Sequence, residues 1–161
     1  MGVASEKTEF LAGGGFMGAL MRDHDWSGSP LGAPEHWTSS LKTTVGLLLR
    51  AEAQMVLFWG EAFVALYNDA YAPTIGDKHP RALGRPAREN WAELWDDLEP
   101  LLSGVLTTGE TFSAKDRPFY IERSGGVGET VYFDSAEFGS YYGLVRIQTP
   151  QAPAHRPGVW D

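Results

Sequence analysis

A short stretch near the middle of the chain holds the side chains best suited to binding a small molecule: Tyr67, Asn68, Asp69 and Tyr71. Their phenol, carboxamide and carboxylate groups supply both hydrogen-bond donors and acceptors. Facing inward, they would orient a ligand inside an otherwise apolar pocket. Asn68 and Asp69 could instead accept backbone N–H groups and cap a short helix at Ala70-Tyr71. The pattern leaves ligand binding and helix capping both open.

A basic cluster gives Asp69 a third possible role, which is to pair with an arginine. The cluster consists of Lys78, Arg81, Arg85 and Arg88. An inward-facing carboxylate at Asp69 could hold Arg85 or Arg88 through a bidentate pair. Acidic residues follow the cluster directly, namely Glu89, Glu93, Asp96, Asp97 and Glu99. This order predicts neighbouring helical turns that neutralise each other on a solvated face.

Three tryptophans extend the candidate site: Trp59, Trp91 and Trp95. They could line a pocket, although aromatic residues on apolar faces more commonly belong to the core. The full set of predicted ligand-binding residues is Trp59, Tyr67, Asn68, Asp69, Tyr71, His79, Trp91 and Trp95. No cofactor is specified by these residues, and no catalytic residue is predicted.

A second group with chemical potential is the run Asp23-His24-Asp25. It could ligate a metal, or serve a hydrolase that uses an adjacent His and Asp. A metal site would need further ligands from distant segments, and among the histidines only His79 is a candidate. The alternative is a helix end followed by a turn, and the sequence favours it, so no metal site is predicted.

Composition excludes several classes of protein. The chain has 161 residues, 43% of them hydrophobic and 12% aromatic, which predicts one folded domain with a substantial core. A net charge of −8 argues against a nucleic-acid partner. Cysteine is absent, so disulfides and thiolate chemistry are excluded. No apolar run approaches the length of a membrane span, and no secretory signal is recognisable, which predicts a cytoplasmic protein.

The order of predicted elements is helix, two strands, several short helices and then a group of strands. An amphipathic helix is predicted from Pro34 to Ala53, followed by strands at 55–59 and 63–67 that a tight turn at Gly60-Glu61 would join. A longer helix is predicted over 96–108. Later strands are predicted at Phe112, 119–121, 130–133 and 141–147. This order predicts an α+β domain with a mostly antiparallel sheet.

Short motifs in this order resemble the PAS family of sensor domains. The motifs are Trp59-Gly60, Leu66-Tyr67-Asn68-Asp69-Ala70-Tyr71, His79-Pro80, Leu83-Gly84-Arg85-Pro86 and Trp91. The chain looks most like the N-terminal PAS domains of bacterial sensor histidine kinases and hybrid kinases. The resemblance implies a five-stranded antiparallel sheet with short helices on one face, preceded here by the N-terminal amphipathic helix. It divides the chain into a flexible leader (1–15), a helical lead-in (16–53), a PAS-like sensor domain (54–149) and a disordered tail (150–161).

The same resemblance implies a sensory role in a two-component system. A small ligand would bind between the sheet and the segment from Tyr71 to Trp95, and flanking helices would relay the change. His79 would be the candidate haem ligand, as some relatives use one, although a loop histidine bonded to backbone is the commoner arrangement. The implied partners are a second copy of the chain, bound through the N-terminal helix or a sheet face, a small molecule, and a histidine kinase output domain. Kinase domains are absent, so no catalysis is expected; the alternative is a non-switching binding or dimerisation protein.

Overall fold

The computed structural model describes residues 6–108, 112–124, 127–138 and 143–148, with side chains over residues 8–108. The α-helices are α1 (Gly15–Asp23), α2 (Ser39–Arg50), α3 (Ala87–Asn90) and α4 (Trp95–Thr108). The 3-10 helices are Glu6–Leu11, Trp26–Gly28, Pro34–His36, Ala72–Lys78 and Ala92–Leu94. The strands are β1 (Gln54–Trp59), β2 (Val64–Tyr67), β3 (Phe112–Ser124), β4 (Val127–Phe138) and β5 (Gly143–Gln148). The first five residues of the predicted leader and the predicted tail at 150–161 lie outside the described residues.

Helix α2 is shorter than the predicted helix because the chain is interrupted before it. Pro34–His36 forms a separate 3-10 turn, and Trp37 is extended. Thr38 then caps α2, since its Oγ1 accepts a hydrogen bond from the Leu41 N–H at 3.2 Å. The helix buries one stripe against the core, consisting of Leu41, Val45, Leu48 and Leu49.

Strands β1 and β2 form an antiparallel hairpin in which Trp59 lies opposite Val64. The connection therefore has four residues, Gly60–Phe63, and the predicted two-residue turn at Gly60-Glu61 is wrong. Phe63 takes a left-handed conformation with φ of 50°, and its N–H bonds to the Gly60 carbonyl at 3.1 Å. All four residues of β2 are buried, so this hairpin lies in the core.

The outer edge of β2 is occupied by residues 84–87. The Gly84 N–H donates to the Ala65 carbonyl at 2.9 Å, and the Ala65 N–H donates to the Arg85 carbonyl at 3.0 Å. The Ala87 N–H completes the edge by donating to the Phe63 carbonyl at 2.9 Å. Backbone groups that an edge strand would leave unpaired are thus satisfied within the chain.

Strands β3, β4 and β5 are described by their backbone. The pairings are antiparallel, and the strand order is β2-β1-β5-β4-β3. The separate strands predicted at Phe112 and at 119–121 form one strand, Phe112–Ser124, with a register shift between Ala114 and Arg117. Side chains of these three strands lie outside the described residues.

The predicted fold class, a PAS-like five-stranded antiparallel sheet with short helices on one face, is wrong for the part of the chain whose side chains are described. Residues 6–108 are mostly helical and contain the two-stranded antiparallel sheet of β1 and β2, not a five-stranded PAS sheet. The reason is that α1, α2 and α4 each bury an apolar stripe. In this part helices form the walls of the core, whereas the prediction treated them as a cover on a sheet.

The N-terminal region is part of this core. Leu11, at the end of the first 3-10 helix, is buried, as are Met17 and Met21 of α1. Trp26 packs edge-on against Trp37 with ring centroids 4.9 Å apart, and its indole N–H donates to the Met21 carbonyl at 2.9 Å. Helix α1 occupies the start of the segment predicted as a helical lead-in. The division of the chain into leader, lead-in, sensor domain and tail stays a prediction.

In the described ranges, no helix combines the length and apolar character needed to cross a lipid bilayer.

The cap on α2 makes a direct test of this architecture. Replacing Thr38 by Ala removes the acceptor for the Leu41 N–H, so the free energy of unfolding should fall by about 1 kcal/mol. Urea denaturation followed by circular dichroism measures this change. Thr38→Ser keeps the hydroxyl and should be close to neutral, and Ser39→Ala, at the exposed first helical position, is the matched control. Equal losses in Thr38→Ala and Ser39→Ala would contradict the assignment of the cap.

Candidate functional site

Asn68 lies at the end of β2 with its side chain 1% exposed, where three segments of backbone meet. Its Nδ2 donates to the carbonyls of Leu48 at 3.1 Å, Ala51 at 3.2 Å and Ala53 at 2.8 Å. These carbonyls belong to the last turn of α2 and the link to β1, where helical partners run out. These three bonds therefore fix the path of the backbone from the end of α2 to the start of β1.

The carbonyl oxygen of the same side chain holds the other two segments. Oδ1 accepts from the Met55 N–H at 3.2 Å, in β1, and from the Tyr71 N–H at 3.1 Å. The second bond caps the turn that follows β2, so the predicted capping role of Asn68 is confirmed. Because both ends of the amide are occupied by the protein's own backbone, Asn68 holds the fold in place and does not face a ligand.

Asp69 caps a helix as well, but a distant one. Its Oδ1 accepts from the Met17 N–H at 2.7 Å and its Oδ2 from the Phe16 N–H at 3.0 Å. These N–H groups open α1, whose local N-cap, Gly14, supplies no side-chain bond. A Cβ at Gly15 would lie 2.1 Å from Asp69 Oδ2, so glycine is required for the close approach. The carboxylate also lies at the positive end of the helix dipole.

The predicted pairing of Asp69 with Arg85 or Arg88 is not formed. Arg85 instead forms an ion pair with Glu89 at 2.7 Å, and both side chains are about two-fifths exposed. In the same basic cluster Lys78 pairs with Glu93 at 2.7 Å. Those two side chains are only 7% and 9% exposed, so this pair is buried and is not part of a solvated face. The predicted neutralisation between basic and acidic turns is confirmed for both pairs.

The polar tips of Tyr67 and His79 meet beside Asp69. A hydrogen bond of 2.8 Å joins Tyr67 Oη to His79 Nδ1, and their rings make an edge contact with centroids 5.5 Å apart. Burial raises the pKa of Tyr67 well above its usual value. Burial also lowers the pKa of His79, against the opposing effect of the Asp69 charge. At neutral pH the pair is therefore an uncharged phenol bonded to an uncharged imidazole.

Tyr71 extends this contact into the interior. Its ring centroid lies 5.6 Å from that of Tyr67, and the Trp91 side chain acts on its hydroxyl, lowering the pKa against the larger effect of burial. Burial raises the pKa of the Tyr71 phenol. Trp91 in turn packs edge-on against Phe58 with centroids 5.6 Å apart. We call this set the aromatic cluster, and its members are Phe58, Tyr67, Tyr71, His79 and Trp91.

The sequence-predicted residues thus lie in four places. Tyr67, Tyr71, His79 and Trp91 come together in the aromatic cluster, and Asn68 and Asp69 extend from the same stretch towards the N-terminal helices. Trp59 is buried at the end of β1. Trp95 lies apart from the cluster, where its ring contacts Phe63 with centroids 6.1 Å apart.

A surface cleft of about 540 Å³ lies where Trp95 meets the hairpin turn. Its lining comes from the turn, the start of α3 and one face of α4. The residues are Glu61, Ala62, Phe63, Pro86, Arg88, Trp95, Glu99, Ser103 and Leu106. Sequence reasoning did not single out this cleft as a site. The one local signal is the spacing of Glu99 and Ser103, four residues apart on α4, whose side chains are hydrogen-bonded.

The Asp23-His24-Asp25 run forms the turn that the sequence favoured. Asp25 accepts hydrogen bonds from the N–H and the hydroxyl of Ser27, and these bonds lower the pKa of its carboxyl. The His24 ring packs on Trp26 with centroids 4.7 Å apart. Over the described residues, no group of three or more His, Asp or Glu side chains is arranged to hold a metal ion.

Comparisons with known proteins add no family to these observations: no family model matches the chain, and no curated protein is significantly similar to it.

The role of Asn68 can be tested by changing one atom. Asn68→Asp replaces the donating NH₂ by an oxygen, so the carbonyls of Leu48, Ala51 and Ala53 would face a carboxylate. The free energy of unfolding should fall by about 3 kcal/mol or more. The matched control is Asn90→Asp, because Asn90 Oδ1 accepts from Arg81 Nε at 2.9 Å and a carboxylate keeps that bond. Urea titration compares them, and similar losses in both variants would rule out the assigned role.

The histidines predict how stability depends on pH. Burial lowers the folded-state pKa of both His24 and His79, so the folded protein binds protons less readily than the unfolded chain. The two histidines therefore contribute their full stabilisation at pH values above about 6.5, which is the pKa of histidine in the unfolded chain. This contribution is lost as the pH falls through that value towards the lower pKa values of the folded state.

Unfolding in urea at a series of pH values between about 8 and 5 measures this loss. His79→Asn should flatten the dependence because it removes one of the two histidines whose pKa burial lowers. His36→Asn, at an exposed position, is the matched control. A slope unchanged by His79→Asn would show that His79 does not contribute.

Proposed function

We propose that the chain is a non-catalytic sensory or signalling module in which a change at the aromatic cluster is relayed to the N-terminal helices. The observation that carries the proposal is the succession of contacts in residues 67–71. Tyr67 and Tyr71 belong to the cluster, and two of the three residues between them, Asn68 and Asp69, bind α2 and α1 directly. One short stretch of backbone thus connects the cluster to both helices.

The relay has a physical basis in the rigidity of these contacts. Asn68 and Asp69 make six hydrogen bonds through their side chains to backbone groups outside the 67–71 stretch. A shift of the 67–71 backbone would change several of these bonds together, so the helices would respond by moving to a second packing. A ligand or partner that favours one packing shifts the population between the two. This is how a two-component sensor would pass a signal on without catalysis.

The resemblance of the sequence to PAS sensor domains agrees with such a role and suggests a histidine kinase output domain as the partner. A cytoplasmic location fits the absence of cysteine from the sequence. The proposal rests on the contacts of residues 67–71 and does not depend on a five-stranded sheet.

A second candidate function is dimerisation without switching. Phe16 on α1 is 88% exposed and Leu47 on α2 is 70% exposed, which is unusual for large apolar side chains on helices that otherwise bury theirs. A second copy of the chain would cover them if the N-terminal helices form a symmetric interface. Sedimentation of the native chain beside Leu47→Lys distinguishes a dimer from a monomer.

Hydrogen exchange provides the decisive test of the relay. Tyr67→Phe removes only the hydroxyl that contacts His79, at nearly constant volume. We expect exchange at the Phe16 and Met17 amides, which Asp69 holds, to accelerate at least tenfold beyond the change in global stability. The reason is that a disturbance in the cluster reaches Asp69 through two peptide bonds.

The control for this test is Val105→Ala, which removes buried volume from α4 at a position outside the core cluster that contains Tyr67 and Tyr71. It is compared with Tyr67→Phe at equal global stability, adjusted with urea. A relay predicts that only Tyr67→Phe accelerates the two amides selectively. The same exchange pattern in both variants would refute the relay.

A further inference from the structure

The cleft between the hairpin turn and α4 holds charges of both signs that do not neutralise each other. Arg88 and Glu61 are exposed, and within the described residues neither forms an ion pair or a side-chain hydrogen bond. Glu99 is half-buried and bonded to Ser103 through Oε1. Within the described residues, no ion pair joins Arg88 to either acid.

The floor between these charges is apolar and partly aromatic. The Phe63 ring is 8% exposed, and the Trp95 ring is inclined to it by 61°. Leu106 of α4 and Ala62 of the turn continue the surface. An apolar floor with a few charged groups at its rim is the usual composition of a small-molecule site, and about 540 Å³ is within the usual size range.

Phe63, whose ring forms part of this floor, has a strained backbone conformation. A φ of 50° is costly for a bulky residue that is not glycine. The conformation is held on one side by the Gly60 carbonyl and on the other by the Ala87 N–H, at 3.1 and 2.9 Å. Strain held in this way is concentrated at ligand sites and switches.

We propose that this cleft binds a small zwitterion with an aromatic or apolar body, of the class of free amino acids. The carboxylate of the ligand would pair with Arg88, its ammonium group with Glu61 or Glu99, and its body would pack on Phe63 and Trp95. The site is separate from the aromatic cluster, and its binding does not require the relay.

The distribution of charge argues against other ligand classes. Phosphorylated ligands and dicarboxylates carry two or more negative charges, which Arg88 alone would meet while Glu61 and Glu99 repel them. A simple amine would leave Arg88 without a partner, and an uncharged hydrocarbon would gain nothing from the rim. A zwitterion satisfies both signs at once, and an aromatic ring suits an aromatic floor.

The test uses the full chain and phenylalanine as the probe, with binding measured by saturation-transfer NMR and calorimetry. Two analogues each lack one charge: phenethylamine has no carboxylate, and 3-phenylpropionate has no amine. We expect phenylalanine to bind and each analogue to bind about tenfold more weakly, as expected for loss of one charged contact.

Variants assign each charge. Arg88→Met should weaken phenylalanine about tenfold without weakening phenethylamine, whereas the double change Glu61→Gln with Glu99→Gln should weaken phenylalanine without weakening 3-phenylpropionate, because each change removes only a like charge from the analogue's site. Lys42→Met and Glu52→Gln alter charges outside the cleft and should leave all three affinities as they are. Circular dichroism melts establish that each variant is folded.

Three results would overturn the proposal. The first is no detectable binding of phenylalanine at concentrations up to about 10 mM. The second is equal affinity for phenylalanine and both analogues. The third is an Arg88→Met variant that binds phenylalanine as the Lys42→Met control does. None of these results bears on the exchange experiment, so a failed ligand site and a failed relay are distinguishable.

Discussion

The fold of the described region depends on one buried carboxamide. Asn68 connects the end of α2, the start of β1 and the turn after β2 through five hydrogen bonds made by a single side chain. A buried polar group is costly unless it is fully bonded, and here every donor and acceptor direction is used. The arrangement is specific because only an amide offers both donors and an acceptor at this position. Rigidity at this junction then determines where its neighbours in sequence can lie.

Those neighbours give the site its geometry. Tyr67 and Tyr71 flank the junction and enter the aromatic cluster, while Asp69 reaches α1 across fifty-two residues of sequence. The side chains that hold the helices and two of the rings of the aromatic cluster therefore share one short stretch of backbone. The cleft at Trp95 is independent of this junction and is built by the hairpin turn and α4.

Local features of the chain were predictable where local chemistry decides them. The apolar run at 55–59 forms β1, and the polar pair after β2 includes a cap, as its residue types predict. Four members of the aromatic cluster, Tyr67, Tyr71, His79 and Trp91, were among the predicted site residues, whereas Phe58 was not. What the sequence could not show is which partner a polar group chooses at long range. Asp69 was expected to cap locally or to pair with an arginine, yet it caps α1, because the glycines at 13–15 let two backbone N–H groups approach it.

The architecture was mispredicted for a similar reason. The resemblance led to a sheet with helices as its cover, whereas in residues 6–108 the helices themselves enclose the core around β1 and β2. Apolar spacing predicts that a helix buries one face, but it does not predict which element that face packs against. The cleft was not predicted because the charged residues that line it are far apart in sequence. Isolated exposed charges form no recognisable sequence motif.

The segment at residues 84–87 has a consequence for assembly. By bonding to Ala65 and Phe63 it removes the open edge of β2, which would otherwise offer a ready template for a strand from another molecule. Any complex that forms on this flank must therefore be made through side chains, with shape and charge as the selecting properties. A strand of another protein therefore cannot pair with the hairpin at this edge. The same contacts protect the hairpin against aggregation through edge pairing.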